Sequence, residues 1–179
     1  MIKAVFDSNL LVSAFLTCSS GGVSTELLRF VINGTIELYL SVAIADEVAE
    51  TLTENDRARA RYRYTEQQVV QYRADLLVLA TVVDNPRAMP GAVPRDPDDD
   101  NIIACAVAAD AGYLVTRDRD LLSLDRYGAT EIISPETFLR IVRHEASPSQ
   151  PWRCIALLRT CTPPLWIWTR CPIRAAASR

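Results

Sequence analysis

Four acidic side chains, far apart along the chain, have the types and settings for metal-assisted chemistry. Asp7 follows the apolar run IKAVF (2–6), and Glu47 lies in SVAIADEV (41–48). Asp100 closes the acidic string of RDPDDDN (95–101), and Asp118 sits in TRDRDLL (116–122) beside Asp120. Carboxylates gathered at one place repel, at roughly 4 kcal/mol for unit charges ~4 Å apart in an effective dielectric near 20, unless a cation or a raised pKa relieves them. Hard cations such as Mg²⁺ and Mn²⁺ take oxygen ligands. An ion held this way polarises a phosphoryl oxygen and generates hydroxide near neutral pH, which is the equipment of phosphodiester hydrolysis.

Each acid also has a plainer explanation. Asp7-Ser8-Asn9 after a strand can be a turn with side chain-to-backbone bonds. Glu47 can be a solvated helix residue, and Asp46 and Glu50 are neighbours that could take its place. Asp96, Asp98, Asp99 and Asp100 can favour a helix N-terminus electrostatically, although that accounts for one or two acids rather than four in five residues. Asp118 and Asp120 can be surface charges. The joint arrangement is far less probable by accident than any one part.

The elements that must bring these residues together follow from hydrophobic period and stop signals. Strands are expected at 2–6, 36–40, 80–84, 113–116 and 130–133. Helices are expected at about 22–33, from a Ser41 cap to about 52, from a Thr65/Gln68 capping box to about 80, at about 98–111 and from Ser134-Pro135 to about 144. Residues 85–97 hold four prolines and one glycine and read as a loop. Strands alternating with helices predict an α/β fold, with a mostly parallel sheet of about five strands between two helical layers. In such open sheets, ligands bind beyond the carboxyl ends of the strands, where Asp7 and Asp118 fall.

Composition narrows the classes. The chain has 179 residues, 49% hydrophobic and 23% charged, as expected for one globular domain. No apolar run reaches the ~18 residues a spanning helix needs, and no secretory signal pattern is present, so no membrane role is expected. Residues 1–146 carry 14 Lys+Arg against all 22 Asp+Glu, a net of −8. Residues 147–179 carry five Arg and no acid, with all three Trp and three of the five Cys. The expected division is therefore a nuclease-like domain over 1–146 and a C-terminal appendage, disordered or docked through its tryptophans, over 147–179. One histidine and no CxxC pair exclude the usual zinc sites, Cys105 reads as a core residue, and an odd cysteine count fits a reducing cytoplasm.

VFDSNLLVSAF (5–15), SVAIADEV (41–48), RDPDDDNIIACAVAADAGYLVTRDRDLL (95–122) and EIISPETFL (131–139) resemble the PIN domain, in particular the bacterial PIN toxins of toxin–antitoxin pairs. The resemblance runs in order over about residues 1–142. It implies an α/β/α sandwich and a Mg²⁺- or Mn²⁺-dependent endoribonuclease acting on single-stranded or looped RNA. It further implies a homodimer and an antitoxin protein that covers the active groove. Carried over by position, Asp7, Glu47, Asp100 and Asp118 are the catalytic, metal-binding acids, and Asp120 is an accessory ligand. Asp98 or Asp99 could replace Asp100. Asn9 and Thr116 would orient carboxylates and phosphate.

RARARYRY (57–64) places four Arg and two Tyr in eight residues, suited to phosphate and base contact or equally to a solvated helix face. Arg61 and Arg63 there, with Arg95 and Arg117 beside the acids, are the candidate RNA contacts. Arg outnumbers Lys 18 to 1, so arginine identity alone carries little information. Two rival functions remain. A phosphatase with a strand-end aspartate nucleophile would want a second Asp two positions on, where this chain has Asn9. A PIN-like module without activity, or an RNA-processing nuclease outside a toxin pair, would share the fold.

Overall fold

The computed structural model describes residues 1–18, 21–84, 86 and 99–145. Its first half contains β1 (Ile2–Phe6), α1 (Ser8–Leu16), α2 (Val23–Ile32), β2 (Ile36–Ser41), α3 (Val42–Glu54), α4 (Asp56–Tyr62), α5 (Glu66–Leu79) and β3 (Thr81–Val83). The second half contains α6 (Asp99–Ala108), β4 (Tyr113–Val115), α7 (Arg119–Leu122), β5 (Arg126–Tyr127), β6 (Thr130–Ile133) and α8 (Pro135–Glu145).

The six strands form one sheet in the order β3-β2-β1-β4-β6-β5, parallel except for β5. β1 lies near the middle with Ala4, Val5 and Phe6 fully buried, because helices cover both faces. That burial is why its sequence reads as a continuous apolar run rather than an alternating one. α2 packs with α8, and α3 packs with α5 and α6. On one side Phe6 meets Phe138 of α8 edge-on at 6.1 Å, and Tyr113 of β4 lies 5.2 Å from the same ring. α6 packs on β1, β2 and β4 and is buried from Ile102 to Ala106, as a helix apolar on every side must be.

The expected fold class holds, and most expected elements fall within a few residues of those observed. Ser41 caps α3 by accepting from the Ile44 N–H at 3.3 Å, and the Thr65/Gln68 capping box forms at the start of α5. Four features differ from the sequence expectation, the first being α4, which lies where no element is expected. The sheet has a sixth strand, β5, two residues long and antiparallel to β6 across the connection Gly128-Ala129. Gly128 there takes φ +60, the conformation such a tight hairpin asks of its first loop residue. α1 was not anticipated, because six of its nine residues are buried and no polar face marks its period. α7 is a single turn, below the length at which periodicity is visible. The expected loop at 85–97 and the segment 147–179 lie outside the described residues, apart from residue 86.

Candidate active site

Chain order places β2 and β3 on one side of β1, then crosses to β4 on the other. The strand order therefore reverses between β1 and β4, and a crevice opens there beyond the strand ends. Asp7 follows β1 and Asp118 follows β4 after Thr116 and Arg117. The ladder continues one step past the strands, with the Asp7 N–H donating to the Val115 carbonyl at 3.1 Å. That bond fixes the two strand ends side by side.

Asp7 is only 6% exposed. Its Oδ2 accepts from the Thr116 hydroxyl at 2.7 Å, and Oδ1 lies 3.3 Å from the Ser8 hydroxyl. The Asn9 backbone N–H also donates to this carboxylate, whereas the Asn9 side chain is exposed. Burial raises the Asp7 pKa above 3.8. The hydrogen bonds from Thr116, Ser8 and Asn9 oppose that shift, and the nearby Asp118 charge adds to it.

Two hydroxyls connect this buried carboxylate to its acidic neighbours. Ser8 Oγ donates to Glu47 Oε1 at 2.6 Å, reaching from α1 to α3. Thr116 Oγ1 accepts from the Asp118 backbone N–H at 2.9 Å while donating to Asp7. Asp118 itself caps α7, with Oδ1 accepting from the Asp120 and Leu121 N–H groups at 2.7 and 3.2 Å. The neighbouring acids on α3 are sorted by their partners: Asp46 pairs with Arg73 of α5, and Glu47 turns to Ser8.

Asp100 lies in the first turn of α6. α6 leads into β4 and so runs opposite to the strands, which points its N-terminus toward the carboxyl edge of the sheet. The Cys105 side chain meets the backbone of Ser41 at the end of β2. Asp100 lies five residues earlier, about 7.5 Å of helix rise further out. It is buried at 6% exposure. Asp98 lies outside the described residues, as does Arg95, and the Asp99 side chain is likewise not described.

Among the described residues, no group of three or more His, Cys, Asp or Glu is gathered tightly enough to hold a metal by itself. The donor set nevertheless suits one class of ion. Mg²⁺ keeps several waters and is ordinarily bound through one or two carboxylates together with substrate phosphate, not by an all-protein cage. Asp7 and Glu47, two carboxylates touching one hydroxyl, fit that requirement, with Asp118 beside them.

The arginines divide. Arg117 is exposed near the site, and it pairs with Glu136 at 2.8 Å and reaches Ser24 at 3.3 Å. Arg61 and Arg63 are exposed at the end of α4. α4 begins only after α3 has run seven residues past Glu47, roughly 10 Å along its axis, so these two are set back from the acids. Ser8 is the residue that sequence reasoning did not single out. Its signal was present, a hydroxyl immediately after the strand-end aspartate, but its link to Glu47 spans 39 residues and is tertiary.

Residues 3–120 match a family model described as PIN domain, two-thirds of the chain and including all four acids. The chain therefore belongs to the PIN-domain family, whose members are generally nucleases that typically bind divalent metal ions. No curated protein matches the chain.

Proposed function

We propose that this protein is a Mg²⁺- or Mn²⁺-dependent endoribonuclease of single-stranded or looped RNA, and the toxin half of a toxin–antitoxin pair. The observation that carries the nuclease reading is the buried Asp7 carboxylate at the β1/β4 crevice, joined through Ser8 to Glu47 and through Thr116 to the Asp118 segment. The toxin reading rests on the likeness of the DSN, DDDNIIA and TRDRD motifs to those toxins. It carries with it a homodimer, an antitoxin partner and a cytoplasmic setting.

Asp7, Glu47, Asp100 and Asp118, with Asp120 as an accessory ligand, would hold the ion. The bound ion would supply a polarised phosphoryl oxygen and a water of lowered pKa. The protein's share is positional. Thr116 holds the Asp7 carboxylate by Oδ2, and the α7 cap holds Asp118 by Oδ1. Both side chains are thereby fixed before substrate arrives, so little reorganisation is needed when charge develops on the phosphate.

The test is cleavage of a single-stranded RNA by the purified chain with Mn²⁺, with and without chelator. Chelator is expected to stop cleavage, and Asp7→Asn to reduce it at least ~100-fold, the scale of losing a group that acts in the transition state. Undiminished cleavage by Asp7→Asn would overturn the assignment. Cleavage that a co-expressed small protein from the adjacent reading frame suppresses would support the toxin role, and a failure of any such partner to bind would count against it.

A further inference from the structure

Ser8 occupies an unusual place for a serine. It is the first residue of α1, 3% exposed, and its backbone is fixed where the Leu10 and Leu11 N–H groups bond to the Asp7 carbonyl. A hydroxyl has one proton to give. Its oxygen lies 2.6 Å from Glu47 Oε1 and 3.3 Å from Asp7 Oδ1. The shorter contact is in the range of a charge-assisted O–H···O⁻ bond, so Glu47 is the stronger acceptor of the shared proton and Asp7 the weaker. Glu47 stands at an exposed position of α3, and the short bond from Ser8 restricts the rotamers it can take. Its neighbour Asp46 is drawn off toward α5 by Arg73. A rigid buried hydroxyl therefore favours one orientation of the Glu47 carboxylate, on the side of Asp7.

We infer that Ser8 is a positioning residue for the divalent cation: its hydroxyl sets the geometry of the Asp7–Glu47 pair and with it the affinity for the ion. The inference rests on the metal-dependent reading above. Groups that orient a metal's carboxylate ligands change metal affinity by 10–100-fold when removed, and Ser8 stands in that relation to Glu47. Thr116 stands in the same relation to Asp7, so two hydroxyls, one from α1 and one from the end of β4, anchor the pair.

The experiment is Mn²⁺ titration by calorimetry on the full chain, comparing wild type, Asp7→Asn, Ser8→Ala, Glu47→Gln and the Ser8→Ala/Glu47→Gln double variant. Ser8→Ala is expected to weaken Mn²⁺ binding 10–100-fold, with the metal-free melting temperature changed little. In the Glu47→Gln background the same substitution is expected to cost less than about threefold, because the carboxylate it orients is already gone. Equal fold-losses in the two backgrounds, or Ser8→Ala binding within twofold of wild type, would overturn the role. Ser8→Cys, near-isosteric with a weaker donor, should bind Mn²⁺ between wild type and Ser8→Ala, and it serves if the alanine variant does not fold. Should wild type bind Mn²⁺ and Asp7→Asn lose it while Ser8→Ala does not, only the Ser8 role fails. Should wild type bind no Mn²⁺, the metal-dependent reading fails and takes this role with it.

Discussion

At the residue scale, Asp7 is held in tension between burial and hydrogen bonding. Three donors favour its charged form, yet desolvation outweighs them and raises its pKa above 3.8. A carboxyl whose folded value lies above its unfolded one binds its proton more readily when folded. Between the two values, stability therefore falls as pH rises. At neutral pH the ionised Asp7 destabilises the metal-free protein, and the deficit is recovered as pH falls through the raised value toward 3.8. Asp7→Asn in chelator is thus expected to melt above wild type at pH 7. The gain should shrink toward zero as pH approaches 4. Thermal melts across that range check it, and a variant less stable than wild type at pH 7 would show that the three hydrogen bonds outweigh burial. Sites that trade stability for a buried charge in this way are commonly functional.

At the scale of elements, three devices deliver the four acids. Asp7 and Asp118 come from the ends of adjacent parallel strands, Glu47 from the first half of a helix capped by Ser41, and Asp100 from the N-terminus of an antiparallel crossover helix. These devices hold only while the helices stay seated on the sheet. Phe138 is the clearest anchor, fully buried on α8 and packed against both Phe6 and Tyr113. Phe6 directly precedes Asp7, so this packing also supports the strand end that carries the buried acid. Phe138→Ala is expected to cost about 3–5 kcal/mol in urea denaturation, as large-to-small changes in tight aromatic cores do. A loss under 1 kcal/mol would mean that α8 repacks freely and does not fix β1.

At the scale of the whole molecule, one continuous core runs from Ala4 to Val142 and includes members of both central strands and of every long helix. The acidic body, net −8 over 1–146, does not favour general attraction of phosphate. Under the proposed function, RNA would then be held locally, through the acids and a few arginines such as Arg117. Among the described residues no helix is long and apolar enough to cross a membrane. Among the described residues the core reaches Val142, so a chain ending at residue 146 is expected to keep its cooperative melt and, under the proposed function, its Mn²⁺-dependent cleavage. Loss of the cooperative melt on that truncation would show that residues 147–179 belong to the folded unit.

The α/β class, most helices and strands, and the acids worth watching are legible in the chain's local pattern, because those signals are local. Hydrophobic period, Ser and Thr caps, and a carboxylate set just after an apolar run are all written within a few residues of one another. That pattern does not show α1, whose apolar residues surround the helix and erase the period, nor β5, which exists only because β6 pairs with it. Only the tertiary structure decided which of Asp46 and Glu47 turns toward Asp7, since the choice depends on Arg73 and Ser8, residues 27 and 39 positions away. Likewise, only strand order could set Asp7 and Asp118 side by side. Register between β1 and β4 is fixed by pairing across more than a hundred residues, a distance at which local pattern carries no information.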